Sequence, residues 1–118
     1  MSATIKSKAY SNIEEQIAII RRAIVETVPT ERIYLFGSYV TGEFSSERGS
    51  DLDFYVVLDD AYEKKPLEAM QDISYALFGK KHVPTDVLAN KSSRFDELAQ
   101  VTTIEREVFN SGRLIYAK

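Results

Sequence analysis

The chain has 118 residues, no cysteine, 44% hydrophobic residues and a formal net charge of −3, with a pI near 5.2. That length fits one domain of ordinary size, and the missing cysteines exclude disulfides and thiol chemistry. The acidic balance argues against direct nucleic-acid binding, which normally shows a basic stripe, and the absence of any ~18-residue apolar run or signal-peptide core points to a cytoplasmic protein without a membrane span.

Residues 1–10 are small and polar and read as a flexible lead-in to a single domain over 11–118. Ser11 and Glu14 match a capping box, and Ile13, Ile17, Ile20, Ile24 and Val28 form one apolar helical stripe that Pro29 stops. Glu14, Glu15, Arg21, Arg22 and Glu26 make its solvated face. The run from Arg32 to Phe36 is apolar on both sides, as in a central strand covered on both faces. Gly37 breaks it, and Ser38 opens a short helical turn through Val40 and Thr41. Residues 41–50 hold two glycines, three serines and alternating charges, the composition of an exposed loop.

A second strand follows from Asp51 to Leu58. Alternation places Leu52, Phe54, Val56 and Leu58 on one face and Asp51, Asp53, Tyr55 and Val57 on the other. Pro66 opens a helix carrying Leu67, Met70, Ile73 and Leu77 inward, with Gly79 as its C-cap. Val83 to Leu88 is a third strand, which Pro84 confines to an edge or a strand start. Ser93 to Gln100 reads as a short helix with Phe95 and Leu98 inward. Thr102 and Glu105 resemble a further capping box, for a helix closed by Gly112, and Leu114 to Tyr116 is a last short strand. The order predicts an α/β fold, with a small mixed β-sheet flanked by helices.

Chemistry concentrates between residues 37 and 86. Gly37 lets the backbone approach a ligand closely, and Ser38 adds a hydroxyl where helical N–H groups attract anions. Asp51 and Asp53 point to the same face, about 7 Å apart along the strand. Two like charges so placed repel unless a cation stands between them, and Mg²⁺ usually takes one or two carboxylates plus substrate phosphates. Asp86 is an acidic residue inside an apolar strand, costly unless paired; beside Asp51 and Asp53 it would complete a three-carboxylate site. A phosphate-binding turn next to a metal-binding pair predicts a nucleoside triphosphate site. The single histidine, His82, lies beside Lys80 and Lys81 and reads as a surface residue.

Gly37-Ser38, Gly42, Ser50-Asp51-Leu52-Asp53 and the downstream Asp86 resemble the signature of the polymerase-beta-like nucleotidyltransferase superfamily. Its stand-alone minimal members, of this length, are the most similar in extent, over about residues 11–116. The resemblance implies the family's palm fold, ATP as substrate and one or two Mg²⁺ ions held by Asp51, Asp53 and Asp86. Gly37, Ser38 and Ser50 would bind the nucleotide. It further implies an antitoxin paired with a helical HEPN-type toxin, transferring AMP from ATP to a tyrosine of that partner. The family's usual basic residue before the second glycine is Thr41 here, so phosphate charge would fall to another cation such as Arg48. Two other readings remain open. One is a catalytically idle antitoxin that acts by binding, with Tyr39, Phe44 or Tyr62 in the interface. The other is a small-molecule (antibiotic) nucleotidyltransferase, which normally carries an added acceptor domain.

Overall fold

A computed structural model describes the backbone of residues 2–118 and the side chains of all of these except residues 2–12 and 46. The elements are α1 (Ser2–Thr27), β1 (Thr30–Phe36), α2 (Ser38–Thr41), a 3₁₀ turn (Ser46–Arg48), β2 (Leu52–Leu58), α3 (Pro66–Leu77), β3 (Thr85–Lys91), α4 (Ser92–Leu98), α5 (Ile104–Ser111) and β4 (Arg113–Ala117). Four strands form one mixed sheet in the order β3-β2-β1-β4. β1 pairs antiparallel with β2 and β4, whereas β2 and β3 run parallel through the α3 crossover. No helix among the described residues is long and apolar enough to cross a membrane.

One face of the sheet packs under α1 and α3. The predicted α1 stripe is observed: Ile17, Ile20, Ile24 and Val28 are buried against Ile33, Leu35, Leu52, Phe54, Val56 and Leu58. Each such side chain contributes about 1.5–3 kcal/mol by leaving water. The start of α1 differs from expectation. Residues 2–10 belong to the helix, and Ser11 falls inside it rather than at its N-cap. The segment contains neither Gly nor Pro to interrupt a helix. In α3 the buried phase is Ala69, Ile73 and Leu77, while Leu67 stays 63% exposed. Leu67 is two residues from Ala69, about 200° around the helix at 3.6 residues per turn, and therefore faces water.

The other face carries Tyr34, Tyr55 and Val57 under Phe95 of α4 and Val108 of α5. Phe95 stacks on Tyr34 at 5.7 Å and lies 5.1 Å from the Tyr55 ring. The α5 cap is Thr103, whose hydroxyl accepts from the Arg106 N–H, one residue later than the predicted Thr102. The shift frees Glu105 from capping and turns it inward, where its carboxylate accepts from the Tyr55 hydroxyl at 2.7 Å. Asn90 donates to the same hydroxyl at 3.2 Å. Burial first, and then the Glu105 bond, push the Tyr55 hydroxyl well above its ordinary range, so it stays a donor. Tyr55→Phe leaves the Glu105 carboxylate buried without that donor and should cost about 2–3 kcal/mol in urea unfolding. Adding Glu105→Leu should recover most of the loss, as removal of both partners is far cheaper than removal of one.

Candidate active site

β1 ends at the same end of the sheet where antiparallel β2 begins, and this end gathers the predicted functional residues. Phe36 is the register partner of Asp53. The next residue, Gly37, has φ 78° and ψ −153° and opens α2. Such a conformation is essentially reserved for glycine. A Cβ there would stand 2.1 Å from Asp53 Oδ2, so the missing side chain also makes room for the carboxylate. The N–H groups of Val40 and Thr41 both donate to the Gly37 carbonyl, and those of Glu43 and Phe44 to the Ser38 carbonyl. The predicted turn through Val40 and Thr41 is therefore present.

Asp53 pairs in parallel register with Asp86 on β3. Register partners in adjacent strands point to the same face, with backbones about 4.8 Å apart. β3 starts after Pro84 and is an edge strand, as that proline required. Asp86 itself is exposed, while Asp51 and Asp53 are half-buried. Burial, then Asp86, then Asp51 raise the Asp53 carboxyl to about 6. Among the described residues no salt bridge involves any of the three. Three acceptor-only groups without a protein cation fit a divalent metal chemically. Among the described residues, no three acidic or imidazole groups form a ready-made cage for one ion. The residues thus fit a metal held by one or two carboxylates and completed by substrate phosphates.

The remaining predicted binding residues lie in the 41–50 loop. The Ser50 hydroxyl accepts from the Ser45 N–H at 3.0 Å, which closes the loop just before Asp51. Arg48 reaches back to the Glu43 carbonyl at 3.4 Å. Tyr39, Phe44 and Tyr62, considered above as interface residues, are partly buried against the core instead. The strongly exposed aromatics are Tyr75 and Phe78, at 86% and 88%.

Two features at this end escaped the sequence reading, because each joins distant segments. On the α1 side of α2, the Tyr39 hydroxyl donates to Glu14, which also pairs with Arg113 at 3.2 Å. Tyr39, more than Arg113, holds the Glu14 carboxyl below its usual range. This cluster borders a cavity of about 450 Å³. Between α2 and α5 lies a second cavity of about 200 Å³ that Gly37 helps to line, with Thr41, Ile104, Glu107 and Ser111 solvent-exposed around it.

The sequence profile described as "Polymerase beta, Nucleotidyltransferase" matches residues 15–118, nearly the whole chain. The chain belongs to the polymerase beta nucleotidyltransferase family. Solved structures agree on the fold of this nucleotidyltransferase domain. The crystal structure of a presumed nucleotidyltransferase from Sulfolobus solfataricus aligns with a TM-score of 0.54 and 23% identity, covering 92% of this chain and 88% of that one. A crystal structure of a toxin–antitoxin with AMP-PNP aligns with a TM-score of 0.53 and 22% identity, covering 89% of this chain and 73% of that one. No match is found among curated proteins.

Proposed function

We propose that this nucleotidyltransferase domain transfers AMP from ATP to a hydroxyl of a partner protein, in a Mg²⁺-dependent reaction, as the antitoxin of a HEPN-type toxin–antitoxin pair. The observation that carries the reading is the carboxyl of Asp53, crowded by Asp86 and Asp51 and set against the Gly37 backbone. The acceptor oxygen attacks the α-phosphorus in line, the bond to pyrophosphate breaks, and the hydroxyl proton leaves. Asp86, exposed on the edge strand, would accept that proton from an approaching side chain. Ser38 donates its hydroxyl to the departing phosphates, and Asp51 and Asp53 are the residues that would hold the metal. Mg²⁺ held there would supply positive charge to the phosphoryl group as negative charge develops on it. The antitoxin assignment draws on the motif resemblance, and the similar fold of the AMP-PNP toxin–antitoxin structure supports it.

The test is incubation with Mg²⁺ and ATP, with and without the protein encoded beside it, followed by intact mass measurement. One added AMP on the partner is the expected result. A tight complex with no mass increment would instead favour an antitoxin that acts by binding alone. That second reading has its own observation, the exposed Tyr75 and Phe78 at the end of α3 together with Leu67.

A further inference from the structure

We propose that the cavity between α2 and α5 receives the base of the nucleoside triphosphate, and that Glu107 selects bases carrying an amino group. The inference rests on the transferase reading above and assigns a specificity-determining residue to it. Phe36, Val40 and Ile104 supply apolar walls, while Thr41, Glu107 and Ser111 supply polar groups. Gly37 belongs both to this lining and to the contact with Asp53, so the cavity and the Asp53 carboxylate share the Gly37 turn, although none of the three aspartates lines the cavity. Phe36, as register partner of Asp53, fixes it on the same face of the sheet.

Size narrows the occupant. At about 200 Å³, the cavity is smaller than the ~300–1,000 Å³ of pockets that enclose whole drug-sized ligands. It suits a single flat ring system, not an entire nucleotide. Direction narrows it further. A nucleotide carries its base at the end remote from the phosphates, so a base in the cavity leaves the phosphates near Gly37 and Asp53. A tyrosine acceptor has the opposite polarity: its reacting hydroxyl is the tip of the ring. Inserted here, it would bring that hydroxyl to Glu107 and Ser111, which stand solvent-exposed at the cavity's rim, and neither Asp53 nor Asp86 lines the cavity.

Chemistry then selects among bases. An ionised glutamate only accepts hydrogen bonds. Adenine, guanine and cytosine present exocyclic amino donors, whereas the corresponding position of a uracil-type base is a carbonyl acceptor. Glu107 therefore favours the first three and repels the fourth.

Calorimetric titration of the full chain in Mg²⁺ with ATP, UTP and tripolyphosphate separates the possibilities. ATP should bind at least about tenfold more tightly than UTP. In Glu107→Gln, whose amide both donates and accepts, that gap should narrow severalfold. Ser111→Phe, which fills the cavity, should reduce ATP affinity towards that of tripolyphosphate while leaving tripolyphosphate binding intact, which also reports a folded site. If both variants keep wild-type ATP and UTP affinities while tripolyphosphate still binds, the base site is overturned and the transferase reading stands. The base site is equally overturned if the variants lower turnover at unchanged nucleotide affinity, the behaviour of an acceptor pocket. Failure of wild-type protein to bind either ATP or tripolyphosphate would overturn the transferase reading and this inference with it.

Discussion

Gly37→Ala should abolish nucleotidyl transfer and destabilise the domain by about 2–4 kcal/mol, from two separate causes. The backbone at φ 78° and ψ −153° is open to glycine alone, and forcing an alanine into it costs about 1–3 kcal/mol. The new methyl would also meet Asp53 Oδ2 at 2.1 Å, so either the turn or the carboxylate must move. A displacement of about 1 Å at reacting groups is enough for a ~100-fold loss of rate. Gly79→Ala separates the two causes. Gly79 also has positive φ, at 79°, but open space where its Cβ would stand. That variant should lose only about 1–2 kcal/mol and keep transfer, as read by urea unfolding and the AMP mass increment. Equal losses of activity in both variants would show that the Gly37–Asp53 contact has no special part.

Asp53→Asn should have opposite effects on activity and stability. Transfer should fall to background in the mass assay, because the half-buried member of the carboxylate group is lost. The metal-free protein should nonetheless become more stable. The Asp53 carboxyl is raised from 3.8 to about 6 on folding. Well below pH 3.8 both folded and unfolded chains are protonated there, and the group has no effect. Between about pH 4 and 6 the unfolded chain releases its proton while the folded one retains it, so stability falls as pH rises. Above about pH 6 the full penalty is present. The shift corresponds to about 3 kcal/mol if converted directly, and solvent screening of this partly exposed group reduces it to about 1–2 kcal/mol. Thermal unfolding of metal-free protein at pH 7 should therefore show the variant melting several degrees higher. At about pH 3, where the group is protonated in both states, the two should coincide. Mg²⁺ with ATP should raise the wild-type melting temperature by mass action and leave the variant little changed. A variant that melts lower than wild type at pH 7 would mean that Asp53 is not electrostatically crowded.

Local chemistry made much of this legible in advance. Ile17, Ile20, Ile24 and Val28 announce a helical face by spacing alone, and the alternation from Leu52 to Leu58 assigns both faces of β2 correctly. Pro84 marks an edge strand because a missing N–H is tolerated only there or at a strand start. Gly37-Ser38 and Asp51-x-Asp53 are close enough in sequence to be read as one turn-and-strand unit. What stayed hidden depends on contacts across the chain. Asp86 is expected beside Asp51 and Asp53, but its register opposite Asp53 comes only from β2–β3 pairing across the α3 crossover. Glu105 looked like a capping residue because its partner Tyr55 lies 50 positions away. Glu107 and Ser111 gain interest only once α5 has docked beside α2. The start of α1 was missed for another reason: a capping pattern at Ser11 is equally compatible with a helix interior.

The position of β3 divides the labour of recognition at this site. Towards β1, Asp53 meets Phe36 and the Gly37 backbone at the start of α2, but towards β3 the sheet ends after a single further strand. A ligand on the first side meets a surface that this chain fixes by itself. A ligand on the second meets one exposed carboxylate, Asp86, at an open rim. On the proposed reading, discrimination between donors is written into the domain, whereas discrimination between acceptors is delegated to whatever surface docks along that rim. The donor pocket could then stay constant while the acceptor changed, without disturbing a single core residue.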